Sequence, residues 1–146
     1  MKSIYYFDEE NGVSEVTFIA KNGRRYVGYA CCHEKDKDMM SEKTGMFIAE
    51  QRAVMDYLRE FRDTDIKPKL QILEHIYNSF QQSKNFNEKS YESRLLRRQI
   101  RLLKNDLTTI NEDLVERKEN LKDFIEEKDK FYNRIRANRK EDAVDE

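Results

Sequence analysis

The pattern of hydrophobic and polar positions changes along this chain, from short strand-like stretches near its start to helical spacing beyond it. The stretches VTFIAK and RRYVGYAC are rich in β-branched and aromatic residues, as is typical of strands. The stretch IYYF precedes Asn11-Gly12, a dipeptide preferred in two-residue type I′ turns. We therefore predict three short strands joined by tight turns, a β-meander that needs helices packed against it to be stable.

The turn between the second and third strands sets the pairing of their residues. Asn22-Gly23 lies between them and is also typical of a two-residue type I′ turn. Such a turn places Phe18 opposite Val27 and Val16 opposite Tyr29, which would give the sheet one apolar face.

Helical spacing begins after this sheet. Apolar residues recur at intervals of three and four within 41–62, so we predict a helix there with Ser41 as its N-cap. The stretch RDTD is predicted to end this helix, and Pro68 fits the first turn of a second helix that continues through Phe80.

A heptad repeat sustained over about five heptads is the strongest pattern in the chain. Its apolar positions define a predicted oligomerisation seam: Leu96, Ile100, Leu103, Leu107, Ile110, Leu114, Leu121, Phe124, Phe131 and Ile135. Arg117 and Lys128 interrupt this seam and are expected to set its register. Leu95 and Leu102 lie off the seam, which predicts that the preceding helices cover a second side of this helix.

Together these elements predict an α+β protein with a small N-terminal antiparallel β-meander, helices, and a long C-terminal coiled-coil helix. We divide the chain into a head of sheet and two helices over 1–82, a linker over 83–92, the coiled-coil helix over 93–140 and an acidic frayed tail over 141–146. A helix of that length needs another chain, or a helix folded back from the same chain, to cover its seam.

Composition and charge narrow the function classes. Charged residues make up 39% of the chain and apolar residues 38%, which suits long exposed helices. The net charge of −1 provides no overall basic field for nucleic acid or for an anionic membrane. No apolar run approaches the roughly 20 residues that span a bilayer. The first residues lack a secretory signal, and the two adjacent cysteines imply no disulfide framework, so we expect a cytoplasmic protein without a membrane partner.

Two adjacent cysteines, with His33 and His75, are the residues best suited to metal binding or nucleophilic chemistry. Neighbouring side chains on a strand point to opposite faces, and zinc sites use spaced ligand pairs, so we expect no metal site at Cys31 and Cys32. The acids in HEKDKDMMSE lack the spacing of a calcium loop and suit a helix N-terminus. Phosphate loops and nucleophile elbows are missing from the sequence, and we expect neither catalysis nor a cofactor.

The segment from Gly28 to Ala53 resembles one carried by small proteins of phages that infect Gram-positive bacteria. The matching residues are Gly28, Ala30, Cys32, His33, Asp36, Ser41, Glu42, Gly45, Ala49, Arg52 and Ala53. Glu34 stands where that segment has a proline. The resemblance implies a phage accessory protein in the cytoplasm of the bacterial host. The predicted architecture is also similar to that of the Thoeris anti-defence sponges, small oligomeric phage proteins that sequester cyclic ADP-ribose-type signals between subunits.

Candidate ligand residues come from two places. Arg52 has no evident structural role in the first helix, and we expect it to bind a ligand with Tyr26 or Tyr29 and an arginine of a partner chain. A basic stretch able to bind phosphate is formed by Arg94, Arg97, Arg98, Arg101 and Lys104. From this stretch we select Arg94 and Arg98 as further ligand-binding candidates.

The sequence favours a non-enzymatic phage accessory protein that counters a bacterial defence system by binding, as a homo-oligomer joined through its C-terminal helix. Its target is expected to be a nucleotide signal, such as a cyclic nucleotide, or a host defence protein. Two alternatives stay open. One is a structural coiled-coil protein, and the other is a nucleic-acid-binding accessory protein, which the neutral charge disfavours.

Overall fold

A computed structural model of the chain describes residues 1–32 and 41–145, with side chains as far as residue 140. The elements are β1 (Lys2–Asp8), β2 (Val13–Ile19), β3 (Arg25–Cys31), α1 (Glu42–Glu60), a π-helical segment (Phe61–Ile66), α2 (Lys67–Gln81) and α3 (Tyr91–Asp145). The strands form one antiparallel sheet in the order β1-β2-β3. The predicted α+β class, with an N-terminal meander and a long C-terminal helix, is therefore confirmed.

Two compact units divide the chain, and each combines segments that are distant in sequence. The first comprises Met1–Tyr57 and Glu116–Glu146, and the second comprises Leu58–Val115. Each unit thus contains part of α3, whereas the division predicted from sequence follows chain order. The backbone of α3 remains helical through Asp145, within the segment predicted as a tail.

The β2–β3 turn is longer than predicted. The N–H of Ala20 donates to the carbonyl oxygen of Arg24 at 3.0 Å, and the N–H of Gly23 donates to the carbonyl oxygen of Ala20 at 2.9 Å. Gly23 has a φ of 83°, while Asn22 has a negative φ, so the type I′ conformation is excluded. The connection is a three-residue loop, in which a type I turn is followed by a glycine in the left-handed region.

Because the loop has one residue more than predicted, the side chains of β3 that were expected on one face of the sheet lie on the other. Phe18 pairs with Tyr26 rather than with Val27. The ring of Tyr26 is therefore buried and lies 5.4 Å from the ring of Tyr57, while Tyr29 is 52% exposed on the opposite face.

The β1–β2 connection is likewise not the predicted two-residue turn. Asp8 pairs with Val13, so residues 9–12 form a four-residue loop. The carboxylate of Asp8 accepts hydrogen bonds from the backbone N–H of Asn11 at 3.2 Å and from its side-chain amide at 2.7 Å. Gly12 ends the loop with a φ of 64°.

Small residues allow α1 to lie directly on the sheet. Gly28, which stands opposite Val16 in place of the predicted Tyr29, meets α1 so closely that a Cβ there would overlap the carbonyl oxygen of Ala49. The same atom would lie 2.7 Å from the backbone nitrogen of Ala53. A Cβ on Gly45 of α1 would in turn overlap a side chain of β2. The fold therefore depends on the absence of side chains at these positions.

Ser41 caps α1 as predicted. Its hydroxyl accepts a hydrogen bond from the N–H of Thr44 at 3.3 Å, and its carbonyl oxygen accepts one from the N–H of Gly45 at 3.0 Å. The first bond satisfies a donor of the first turn that has no partner within the helix, and the second is the first backbone bond of α1.

The RDTD stretch does not break the helix, because it adopts a π-helical conformation within Phe61–Ile66. The N–H of Lys67 donates to the carbonyl oxygen of Arg62, five residues earlier. Pro68 has no N–H to donate and its ring crowds the preceding turn, which would strain an α-helix. A wider π turn accommodates this defect, so the chain passes into α2 without a loop.

In the first unit, α1 covers the seam of α3 in an antiparallel arrangement. The rings of Phe47 and Phe124 lie 4.7 Å apart, and Arg117 donates to the side-chain oxygen of Gln51 at 3.0 Å. Leu121 is buried. Arg117, expected to set register with another chain, thus has a polar partner in its own chain.

In the second unit, the π-helical segment and α2 run antiparallel to the first part of α3. Arg62 donates to the side-chain oxygen of Asn111 at 3.2 Å. Ile100 and Leu114 are buried. The expectation that Leu95 and Leu102 would be covered is wrong, since these side chains remain 39% and 48% exposed. The preceding helices cover the seam side of α3 instead.

The hydroxyl of Tyr5 on β1 donates to the carboxylate of Glu50 on α1 at 2.9 Å. This hydrogen bond is the main cause of a raised pKa for Tyr5, with smaller contributions from burial and from the negative charge of Glu50. The bond stabilises the protein below the pKa of tyrosine in the unfolded chain, and this stability is lost as pH rises through the higher pKa of the folded state.

We therefore expect Glu50→Ala to lower the pKa of Tyr5, as followed by NMR titration of its ring Cζ resonance. An unchanged titration midpoint in Glu50→Ala would show that β1 and α1 do not form this contact in solution.

Candidate functional site

A groove of about 520 Å³ lies between α2 and α3 in the second unit. Its lining residues are Glu74, Tyr77, Asn78, Arg97, Ile100, Arg101, Lys104 and Asn105. Small-molecule sites commonly have volumes of about 300 to 1,000 Å³. The groove is therefore large enough for a small ligand.

The connection between α2 and α3 holds one end of this groove in place. Phe86 packs edge-on against Tyr77, with ring centroids 6.4 Å apart, and against Phe80 at 5.3 Å. Ser90 then caps α3, because its hydroxyl accepts a hydrogen bond from the N–H of Ser93 at 3.2 Å. These contacts fix the direction in which α3 leaves the loop and so set the spacing of the two helices.

Two of the three cations in the groove have partners within the second unit. Arg97 donates to the carbonyl oxygen of Glu88 at 2.8 Å, and its guanidinium lies 3.6 Å from the carboxylate of the same residue. The ammonium of Lys104 lies 3.6 Å from the carboxylate of Glu74. Arg97 therefore tethers the loop, and Lys104 links the two helices across the groove.

Arg101 differs from these two cations. It is exposed on the groove wall and makes no hydrogen bond or ion pair with the part of the chain that the structure describes. Its five N–H donors suit the planar, two-point recognition of a phosphate or carboxylate.

The remaining lining groups complement an anion with an attached ring or sugar. Ile100 provides a buried apolar surface, and the ring of Tyr77 is partly exposed beside it. Asn78 and Asn105 add amide donors and acceptors on opposite helices. The groove contains three cations and one carboxylate, so its local charge favours an anionic ligand.

The structure places the other predicted ligand residues apart from this groove. Arg94 and Arg98 are exposed on α3 but are absent from the groove lining. Arg52, in the first unit, donates from its guanidinium to the backbone carbonyl oxygen of Tyr29 at 2.7 Å. The side chain of Tyr26 lies on the face of the sheet opposite to that of Tyr29, and Tyr26 is only 8% exposed. Thus Arg52 and Tyr29 are brought together through the backbone, and Tyr26 is not beside them.

The cysteine region forms a second, much smaller cavity of about 30 Å³ in the first unit. Cys31 is exposed and Cys32 is half-buried, while His33 lies outside the described residues. Tyr132 closes the cavity, and burial is the main cause of its raised pKa. Within the described part of the chain, no group of three or more His, Cys, Asp or Glu side chains is placed to hold a metal ion.

The basic stretch named from the sequence includes three residues of the groove, but the two candidates selected from it, Arg94 and Arg98, are not in the lining. The basic stretch carries Arg97, Arg101 and Lys104 at positions i, i+4 and i+7, which lie along one face of a helix. That spacing separates them from Arg98. Arg94 precedes Arg97 by three residues on the same face, so the spacing does not explain its absence from the groove lining. The residues of α2 could not be selected from the sequence, because a heptad pattern does not show which helix covers α3.

Comparison with known proteins adds no relative. No protein family, curated protein sequence or solved structure matches this chain. Among the described residues, none of the helices has the combination of length and apolar character needed to cross a membrane.

Proposed function

We propose that this protein acts by binding, without catalysis, and that its ligand is a small phosphate-bearing molecule held in the α2–α3 groove. The observation that carries this proposal is Arg101, a groove cation without a partner among the described residues. Lys104 lies one turn away on the same wall, and Tyr77 lines the other wall. A nucleotide combines the anion and the flat ring that these groups would contact.

The resemblance to phage proteins suggests the biological setting of this binding. We propose that the protein counters a bacterial defence system in the host cytoplasm by sequestering a nucleotide signal. Oligomerisation would give each assembly several copies of the α2–α3 groove. Inhibition of a host defence protein is the other target expected from the sequence, and it predicts a specific protein partner instead of a retained small molecule.

The decisive variant is Arg101→Ala, with Arg98→Ala as its control. Both changes remove one arginine from the exposed surface of α3, but only Arg101 lines the groove. A charge-assisted hydrogen bond is worth about 1.5 to 3 kcal/mol, so we expect Arg101→Ala to weaken ligand binding by about tenfold or more. Arg98→Ala should bind like the unmodified protein.

Binding would be measured by isothermal titration with AMP, ADP-ribose and cyclic ADP-ribose as probes. Native mass spectrometry of protein purified from defence-active cells would show whether a small molecule is retained. Equal losses in the two variants would point to a diffuse charge effect and contradict a site at Arg101. The absence of both probe binding and retained mass would contradict the sequestration proposal.

A further inference from the structure

The sheet has two edges, and they differ in how their backbone groups are covered. In an antiparallel pair, hydrogen-bonded residue pairs alternate with pairs whose backbone groups point away from each other. The bond between Ala20 and Arg24 fixes this alternation for β2 and β3, and the bond from Cys32 to Gly12 at the other end agrees with it. Tyr29 therefore directs its backbone groups away from β2, toward the outer edge of β3.

A helix side chain covers that edge. The guanidinium of Arg52 on α1 donates to the carbonyl oxygen of Tyr29 at 2.7 Å. A charged group bonded to an edge carbonyl hinders the approach of another strand, which is one way in which proteins protect sheet edges. This contact gives Arg52 a structural role that the sequence did not reveal.

The outer edge of β1 has no such protection. By the same alternation, the even-numbered residues of β1 direct their backbone N–H and C=O groups toward β2. The backbone groups of Ser3, Tyr5 and Phe7 therefore point outward, away from the sheet. No backbone or side-chain group in the described ranges bonds to these outward amides and carbonyls. The edge contains no proline, and Tyr5 is 51% exposed.

We propose that two copies of this chain pair through β1, antiparallel about Tyr5, so that their sheets join into one six-stranded sheet. In this register Tyr5 stands opposite the partner's Tyr5, and Ser3 stands opposite the partner's Phe7. Residues whose backbone groups point outward thus stand opposite each other along the whole strand, as the hydrogen bonds of an antiparallel pair require. A shift by one residue would place unmatched backbone groups opposite each other.

The side chains of β1 are complementary in the same register. Lys2 and Asp8 lie at equal distances on either side of Tyr5, so each Lys2 stands opposite the partner's Asp8. Ile4 stands opposite the partner's Tyr6, on the face of the sheet away from α1, where both side chains are exposed. If one β1 strand were shifted by two residues along the other, both Lys2–Asp8 pairs and one of the backbone hydrogen-bonded residue pairs would be lost. The sequence KSIYYFD therefore specifies one alignment with itself.

The occupant that we infer is a second copy and not a strand of another protein, because the charges and outward amides of β1 complement those of β1 itself. The inference is separate from the groove on α2 and α3, and neither depends on the other. It also predicts a closed dimer, because pairing about a two-fold axis uses the β1 edge of each copy once.

The test is sedimentation equilibrium of the full chain from about 1 to 100 μM, with Tyr5→Pro as the variant and Tyr5→Ala as its control. Both variants lose the ring and its bond to Glu50. Only proline also removes the outward N–H, and it leaves the β1–β2 bonds intact because Tyr5 makes none of them. We expect a wild-type dimer of twice 17.7 kDa. The dimer dissociation constant should rise at least about tenfold in Tyr5→Pro relative to Tyr5→Ala.

Charge reversal gives a second test that leaves the backbone unchanged. Lys2→Asp should weaken the dimer by placing like charges opposite each other, and Lys2→Asp combined with Asp8→Lys should restore it. Because Asp8→Lys also removes the bonds from Asn11 to the Asp8 carboxylate, circular dichroism must first show that the double variant keeps its sheet. This pair of variants decides the question if circular dichroism shows that Tyr5→Pro loses the sheet.

Several outcomes would overturn the proposal. These are a monomer at all concentrations, a dimer that Tyr5→Pro leaves unchanged relative to Tyr5→Ala, an open polymer, or no rescue by the double charge variant. A monomer that binds a strand of another protein would also overturn it.

Discussion

Gly28→Ala is expected to destabilise the protein by about 3 kcal/mol or more, although it adds only one methyl group. The new Cβ would overlap the carbonyl oxygen of Ala49 and lie 2.7 Å from the backbone nitrogen of Ala53. These are backbone atoms of α1, so no side-chain rotation relieves the contact. Overpacked cores commonly cost about 1 to 3 kcal/mol even where side chains can adjust. Urea denaturation followed by circular dichroism would measure the loss.

Gly23→Ala is the matched control for this change. It also adds a methyl group to a glycine of the sheet region, but the new Cβ would meet no atom within 4 Å. Its cost arises only from the positive φ of 83°, and we expect about 1 kcal/mol. If Gly28→Ala were no more destabilising than Gly23→Ala, α1 would not lie against β3 at this position.

Local sequence patterns predicted the elements of this fold because each pattern depends on neighbouring residues. Ser41 was identified as an N-cap from its position before an apolar repeat, and the structure shows its bond to Thr44. The three strands were predicted from short strand-like stretches next to Asn-Gly pairs. The contact of Gly28 with Ala49 and Ala53, by contrast, joins a strand to a helix, and its geometry emerges only in the structure.

Two of the wrong sequence predictions concern the β2–β3 turn and the RDTD stretch, where a single residue decides the backbone conformation. Asn22-Gly23 fits both a two-residue turn and the last two positions of a three-residue loop, and the observed loop moves Tyr26 into the core. The RDTD stretch has the composition of a break, but a π turn ahead of Pro68 keeps the chain helical. In both cases the local sequence is compatible with two conformations, and the residue pattern alone does not choose between them.

The candidate site was only partly predictable for a related reason. A heptad pattern shows that one face of α3 must be covered, but it does not show by what. The folded-back pairing of α2 with α3 brings Tyr77 and Glu74 opposite Arg101 and Lys104. Arg52 was selected because it had no visible role, and its bond to the backbone of Tyr29 supplies one. A contact with a backbone carbonyl leaves no trace in the sequence pattern.

Leu114→Ala is expected to lower the free energy of unfolding by about 2 to 4 kcal/mol, because Leu114 is buried within a single chain. Leu102→Ala is the control, since it makes the same change on α3 at a side chain that is 48% exposed. We expect the control to change stability by less than about 0.5 kcal/mol. Urea denaturation of both variants would give the two values.

The protein concentration used in these measurements separates an intrachain role of the seam from an intermolecular one. If Leu114 serves mainly to stabilise the single chain, its truncation should cost the same at about 1 and 100 μM. If the seam joins chains, as a structural coiled-coil protein would require, Leu114→Ala should dissociate the oligomer, and its cost should depend on concentration. The burial of Ile100, Leu114 and Leu121 within one chain favours the first result. With the seam buried within one chain, the open edge of β1 is a separate route to association. Leu114→Ala should not alter association through β1 while the first unit stays folded.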